Sequence, residues 1–434
     1  MIVACPIERV LSVDREIVDD PYPTWEILRD QCPIFQEPLF NSFVVSNYSS
    51  IVEVARRPND FSSILAAYGP QAHDRGDTPA TLANNARLAG TPSAEPSGTT
   101  QKLLNEYIPD IQDQLQHVDP PLHSIHRRIV SRWFTPAVLE SREPQVREIA
   151  KGLISQFAVG GNIEILDTFA GPFPATVVAD TIGIPQEHRA LFLDWKEEVI
   201  GNPDAQGSRV TSDRYRKIRS LFLDFIEERR GNPQNDMITT LVEARGINDQ
   251  LLDNTAILGI LMLFLGGGQE TTAKAITSGL RLLGEHPHLQ ETLRAAPENI
   301  PAFVEEVLRY EPPVRGIFRL AVRDTTIDDT PIPEGALLQI LWASGNRDNS
   351  IFPDADQFHP DRTLNKHLEK PILTFGHGIH LCPGAPLARL QLRVAFEELL
   401  SSFSHIALSP KNEFRYFKSQ ILRGLSSLHL EMKA

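Results

Sequence analysis

With 434 residues, 42 Lys plus Arg against 56 Asp plus Glu and a formal net charge of −14, the chain lacks the basic footprint of a nucleic-acid binder. Its three cysteines, Cys5, Cys32 and Cys382, are too few and too scattered for a disulfide framework. The first thirty residues hold no apolar run, so neither signal peptide nor membrane anchor is expected, and the protein reads as soluble and cytoplasmic.

Strand-like alternation is confined to short stretches such as Ser42-Phe43-Val44-Val45, whereas helical, apolar-periodic segments dominate after Pro120. No repeat and no linker divides the chain. From Gly69 to Thr100, 21 of 32 residues are Gly, Ala, Pro, Ser or Thr, and Phe, Tyr and Trp are absent. So little apolar surface predicts a mobile surface loop over 69–100. Beyond it, Leu104, Ile108, Ile111, Leu115 and Val118 recur at helical spacing despite Pro109. His123 and Arg127, four apart after Asp119-Pro120-Pro121, share one helix face.

The longest apolar stretch, Ala256 to Gly268, is too short to span a bilayer and predicts a buried helix. It ends in Gly266-Gly267-Gly268-Gln269-Glu270-Thr271-Thr272. Three successive glycines in such a helix are locally wrong, each costing about 1 kcal/mol relative to Ala. Such breaks of local rules concentrate where function requires them: glycines open a groove and admit a ligand to the backbone. An acid and an alcohol, Glu270 and Thr271, follow at once. The plainer reading makes Glu270 a solvated helix residue and lets Thr271 bond back to the preceding turn.

Glu306 and Arg309 lie three apart on a helix ended by Tyr310-Glu311-Pro312-Pro313, within pairing distance. Arg315 and Arg319 follow. Last comes Phe375-Gly376-His377-Gly378-Ile379-His380-Leu381-Cys382-Pro383-Gly384, just before an apolar segment carrying Arg389 and Arg393. A helix N-terminus stabilises a thiolate through free N–H groups and a partial positive charge, and glycines let backbone pass close to something large and flat. A zinc site built on His377, His380 and Cys382 would need a fourth ligand that no nearby Cys supplies. A buried structural thiol is the other bland alternative.

The ten-residue run resembles the haem-binding signature of the cytochrome P450 family, in which Cys382 would be the proximal iron ligand. Phe375, Gly376, Gly378, His380, Cys382 and Gly384 fill that motif's key positions. The resemblance implies one large, mainly α domain with a small β-rich lobe (α+β), spanning 1–434, monomeric, with non-covalent haem b. It implies that His123, Arg127, Arg319 and His380 hold the two haem propionates, that Gly267 and Gly268 flank the oxygen pocket, and that Thr271 and Glu270 bind dioxygen's surroundings and relay protons. Phe352 to Arg362 resembles the family's meander, where Arg362 would complete a buried cluster with Glu306 and Arg309. Departures are Leu122, where an acid is common, and Ile125 and His126.

The function so implied is a haem-thiolate monooxygenase inserting one atom of O₂ into a hydrophobic small molecule. Electrons would come from an external ferredoxin and an NAD(P)H-dependent reductase, docking near a basic patch to which Arg389 and Arg393, or Arg128 and Arg132, could contribute, while internal pairing is for each arginine an equally good reading. A peroxygenase or rearrangement enzyme on the same fold, which would tend to lack the acid–alcohol pair, and a non-catalytic haem-based sensor are the alternatives. Pocket candidates are Leu263, Gly267, Val314 to Phe318 and Ser419 to Ile421. Arg315 and Lys418 are candidate anchors for a substrate carboxylate, although a solvent-facing placement is the plainer reading. In this family the 69–100 region would roof the pocket, as a lid anchored by Leu104 to Val118.

Overall fold

The computed structural model describes residues 15–37, 42–64, 66, 115–157, 161–193, 213–362 and 372–433. The 69–100 loop and most of its Leu104–Val118 anchor lie outside the described residues. Leu115 and Val118 are within them, and both are buried.

The N-terminal lobe runs α1 (Arg15–Asp19), α2 (Tyr22–Gln31), β1 (Ile34–Glu37), β2 (Ser42–Val45), α3 (Tyr48–Ala55) and β3 (Phe61–Ser62). Helices then dominate: α4 (Leu122–Ser131), α5 (Pro136–Ile154), α6 (Pro172–Ile182), α7 (Arg189–Leu193), α8 (Asp213–Gly231), α9 (Met237–Glu243), α10 (Asn254–Glu285), α11 (Pro287–Ala295) and α12 (Ile300–Tyr310), with β4 (Asn162–Glu164) between α5 and α6. The chain returns to the sheets through β5 (Ile317–Ala321), β6 (Thr325–Ile327), β7 (Thr330–Ile332) and β8 (Leu337–Ile340). It closes with α13 (Trp342–Gly345), α14 (Ala385–Ser402), β9 (His405–Leu408) and β10 (His429–Lys433). The mainly helical expectation with a small β-rich lobe holds.

One sheet has the order β1-β2-β8-β5-β3, with β2 and β8 parallel (Val45 opposite Ile340) and the other pairs antiparallel. β2 lies inside the sheet, between β1 and β8, and all four of its residues are buried, so the one-sided alternation expected of Ser42 to Val45 is not seen. A second sheet, β4-β10-β9, places Leu430 between Ile163 and Leu408.

The central element is α10. Asp253 caps it by accepting from the Ala256 N–H at 2.8 Å, and the helix continues unbroken through all three glycines. It is far longer than its apolar stretch, and by length and composition alone it would cross a membrane. Its faces are instead buried by other elements of this protein, and twenty of its residues are buried. Gly268 packs against α6: a Cβ there would lie 2.8 Å from Val178 Cγ2. Gly267 has no such neighbour, the nearest atom being Leu263 Cδ1 at 3.9 Å. Gly268→Ala is therefore expected to lower stability by about 1–3 kcal/mol through overpacking. Gly267→Ala should instead raise it by up to about 1 kcal/mol through helix propensity. Thermal melts of the two variants check the contrast, and equal shifts would refute it.

The two ends of the described chain are tied together. Arg423 donates to the Val18 and Asp19 carbonyls and to Glu311, Arg15 donates to the Tyr416 carbonyl, and the Tyr416 N–H donates to Asp19. Cys32, at the end of α2, is disulfide-bonded, whereas Cys382 is a free thiol.

Candidate active site

The loop before α14 is built from positions where backbone must do unusual things. Gly376 and Gly378 both have positive φ, +75° and +72°, and a Cβ on Gly378 would fall 2.2 Å from the Ala55 carbonyl oxygen at the end of α3. The Cys382 N–H donates to the Phe375 carbonyl at 2.8 Å, closing the loop. The Phe375 ring lies under the Arg389 guanidinium, 4.5 Å away. The Cys382 sulfur thus sits beside the N-terminus of α14, where the Gly384 and Ala385 N–H groups donate to it. A Cβ on Gly384 would come 3.9 Å from Sγ.

Across from this loop, α10 presents Gly266, Gly267, Gly268 and Thr271. Both walls line one cavity of about 350 Å³, as do Phe375, Gly376, Cys382 and Gly384. The Thr271 hydroxyl donates back to the Gly267 carbonyl at 2.7 Å, the bond anticipated by the plainer reading. Glu270 is not among the cavity-lining residues; its carboxylate lies 3.1 Å from Lys274, one turn further along α10.

Cations and imidazoles gather at one end of the cavity. His123 and Arg127 from α4, Arg319 from β5 and His380 from the loop all line it. The His123 and His380 rings are 4.1 Å apart, and His380 Nε2 lies 2.9 Å from Ser63 Oγ. Arg127 donates to the Leu381 carbonyl. His117 also lines this end, and sequence reasoning missed it: lying in a stretch read only for its apolar residues, it gave no signal.

The electrostatics of this end ask for anions. Burial first, then neighbouring positive charge, pushes His380 down to about 2 and His123 down to about 4. Burial pushes Arg319 down to about 10. Arg319 is buried yet has no carboxylate within 4.0 Å among the described residues; its Nη1 donates only to the Phe318 carbonyl. His123 Nε2 is buried and has no hydrogen-bond partner. A buried guanidinium with no carboxylate in pairing distance among the described residues and an orphaned imidazole nitrogen facing a cavity fit a ligand that brings its own carboxylates.

The thiol behaves differently from the expectation of a ready-made thiolate. Burial raises the Cys382 pKa, and the opposing pull of the Gly384 N–H, Arg127, the Ala385 N–H and Arg389 does not reverse it. A metal cation in the cavity would supply the missing stabilisation of the anion.

A family model described as cytochrome P450 matches residues 208–427. Linalool 8-monooxygenase of Pseudomonas putida is 30% identical over 416 residues, covering 94% of this chain and 95% of that relative. Cyclomarin C epoxidase of Salinispora arenicola is 30% identical over 387 residues, 88% of each chain. Among solved structures, a Mycobacterium marinum cytochrome P450 in its substrate-free form superposes with a TM-score of 0.79 at 28% identity, covering 98% of both chains. This chain belongs to the cytochrome P450 family. It is an enzyme of that oxidoreductase class, in a family whose cofactor is a haem with thiolate ligation.

Around the P450 site, the structure decides between the two readings of Arg389 and Arg393 and corrects the placement of Arg315. Arg389 and Arg393 do not form a free basic patch: Arg389 pairs with Glu305, and Arg393 with Glu143 and Glu397. Glu305 comes from α12 and Glu143 from α5, tertiary matches that spacing along α14 cannot reveal, whereas Glu397 is Arg393's own i, i+4 neighbour. Arg128 and Arg132 remain exposed. Arg315 does not face solvent and does not line the cavity. It is buried, donates to the Ser419 carbonyl at 3.0 Å, lies 5.1 Å from the Trp25 ring, and burial pushes it down to about 9. Lys418 is exposed.

The supporting cluster is assembled as its spacing suggested. Arg309 donates to Glu306 at 2.7 and 2.8 Å, Arg362 Nε approaches Glu306 at 3.4 Å, and Glu306 and Arg309 are fully buried.

Proposed function

We propose that this P450 is a haem-thiolate monooxygenase that inserts one oxygen atom of O₂ into an apolar organic substrate. The observation that carries it is the cavity shared by the Cys382 loop and the Gly266–Thr271 groove, with the buried Arg319 guanidinium and the His123 and His380 imidazoles at one end. Haem b, when bound, would supply the redox chemistry on dioxygen. Cys382 would ligate its iron, and His123, Arg127, Arg319 and His380 would hold its propionates. Gly267 leaves backbone accessible in the groove. Thr271 Oγ1 would hold a proton there, and Glu270 would bring protons in from solvent.

The substrate wall is apolar, with Met262, Leu263, Val314, Ile317 and Ile421 facing the cavity. Relatives with comparable identity act on linalool and cyclomarin C, by their names, so an uncharged, apolar natural product suits this wall better than a carboxylate. Electrons would come from a ferredoxin and its NAD(P)H-dependent reductase. In the Cys382 loop the exposed large apolar residues are Ile379 and Leu381, 36% and 45% accessible, and Arg128 and Arg132, on or just after α4, are exposed as well. This points to an apolar contact with a thin basic rim and a shallow dependence of reduction rate on salt.

Thr271→Ala is expected to keep substrate affinity and reductant consumption while diverting electrons to peroxide, and Glu270→Gln to slow turnover by about tenfold or more. Product per NAD(P)H, with ¹⁸O₂ label in the product, is the measurement. Full coupling and wild-type rate in both variants would sink the relay.

A further inference from the structure

The acid of the Glu270–Thr271 pair is seated outside the cavity that Thr271 lines. The side chains of Glu270 and Lys274 are only 12% and 7% exposed, and their charged ends lie 3.1 Å apart. Lysine is almost never this buried without a dedicated environment. Here that environment is built. Lys274 Nζ lies 4.8 Å from the centre of the Phe417 ring. The lysine stem crosses Gly424 so closely that a Cβ there would fall 2.4 to 2.7 Å from its Cγ, Cδ and Cβ. Phe417 and Gly424 belong to a segment that also gives Ile421 and Leu422 to the cavity wall. An exposed i, i+4 pair needs none of this, and is worth only a few tenths of a kcal/mol.

We infer that Lys274 is a positioning residue for proton delivery, holding the Glu270 carboxylate outside the cavity on the turn of α10 that carries Thr271. The inference rests on the relay reading above. In the step it serves, a proton from solvent forms an O–H bond on Glu270 as the ion pair to Lys274 breaks. That O–H bond then breaks as the proton passes to Thr271 Oγ1, whose own proton moves on into the cavity, and the restored carboxylate returns to Lys274. No electrons move in this sequence. Lys274 sets where the carboxylate waits between turnovers, and the segment that seats it also faces the substrate.

The test uses the haem-loaded, full-length protein with a surrogate ferredoxin and reductase. Lys274→Met is expected to lower kcat about fivefold while KM and the substrate difference spectrum stay unchanged. Combined with Glu270→Gln it should add no further loss, because both act on one step. Gly424→Ala, which displaces the lysine stem without removing either charge, should lower kcat in the same way and gives a second route if Lys274→Met fails to fold. Melting of the holoprotein through the Glu270→Gln/Lys274→Met cycle should be non-additive, a readout independent of turnover.

If Glu270→Gln turns over at the wild-type rate, the relay itself falls and the Lys274 role with it. If Glu270→Gln is slow but Lys274→Met and Gly424→Ala are not, the Lys274 role alone is overturned. A slow Lys274→Met whose effect multiplies with that of Glu270→Gln would make the lysine merely structural, and also overturns the inference.

Discussion

Cys382→His is expected to abolish the strongly red-shifted Soret band that the reduced, carbon-monoxide-bound wild-type protein should show. The argument starts from the sulfur's surroundings. The Gly384 and Ala385 N–H groups and two arginines favour the anion, yet burial outweighs them and keeps the free thiol protonated. Iron would release that proton and leave a thiolate whose charge is already met by two backbone donors. An imidazole at 382 carries no negative charge for these donors to satisfy and reaches further into the cavity than Sγ. A wild-type spectrum indistinguishable from that of a His-ligated haem would refute the assignment of Cys382.

Glu306→Ala is expected to destabilise the protein by about 3–5 kcal/mol, the cost of leaving a buried guanidinium without its carboxylate. Glu306 accepts from Arg309, from Arg362 and from the His359 N–H at 2.9 Å. Arg309 in turn donates to the carbonyls of Asn346, Ala355 and Gln357. The effect should not stop at stability. The Asn346 side chain accepts from the Leu373 N–H at 2.6 Å and donates to Thr374 Oγ1 at 2.8 Å, and Thr374 opens the Cys382 loop. Loosening Arg309 therefore loosens the backing of the Cys382 loop, so a haem held as proposed should be lost at lower urea than in wild type. Urea melts followed by circular dichroism and by haem absorbance measure both effects. A loss of stability below about 1 kcal/mol would contradict the burial argument.

How much of this was legible in the sequence depended on how local each signal is. The Cys382 loop was legible because its requirements are backbone requirements: two positive φ angles and a close approach to Ala55 leave glycine little alternative. His123 and Arg127 were legible from spacing within one helix, and Glu306 with Arg309 likewise. The resemblance, not the residue pattern, linked them to Arg319 and His380. What escaped was decided by partners distant in sequence. Arg389 and Arg393 look like a basic stripe along α14 until α5 and α12 place Glu143 and Glu305 against them. Arg315 looks solvent-facing until Trp25 and Ser419 enclose it. Gly268 looked like part of a ligand groove, and the Val178 contact gives it a packing duty as well. Lys274 gave no warning of its seat, since Phe417 and Gly424 lie about 150 residues away.

The ties between residues 15–19 and 416–423 also fix the order in which the molecule can be completed. Arg423 holds the carbonyls of Val18 and Asp19 across a separation of 404 to 405 residues, and β10 closes the β4-β10-β9 sheet later still. During synthesis the first helices emerge long before their partners exist, so α1 must wait, exposed, until residue 423 has been made. A ribosome that stalls after α14 therefore leaves α1 without its Tyr416 and Arg423 contacts, while α2 already has Tyr310 and Ser344 to dock on.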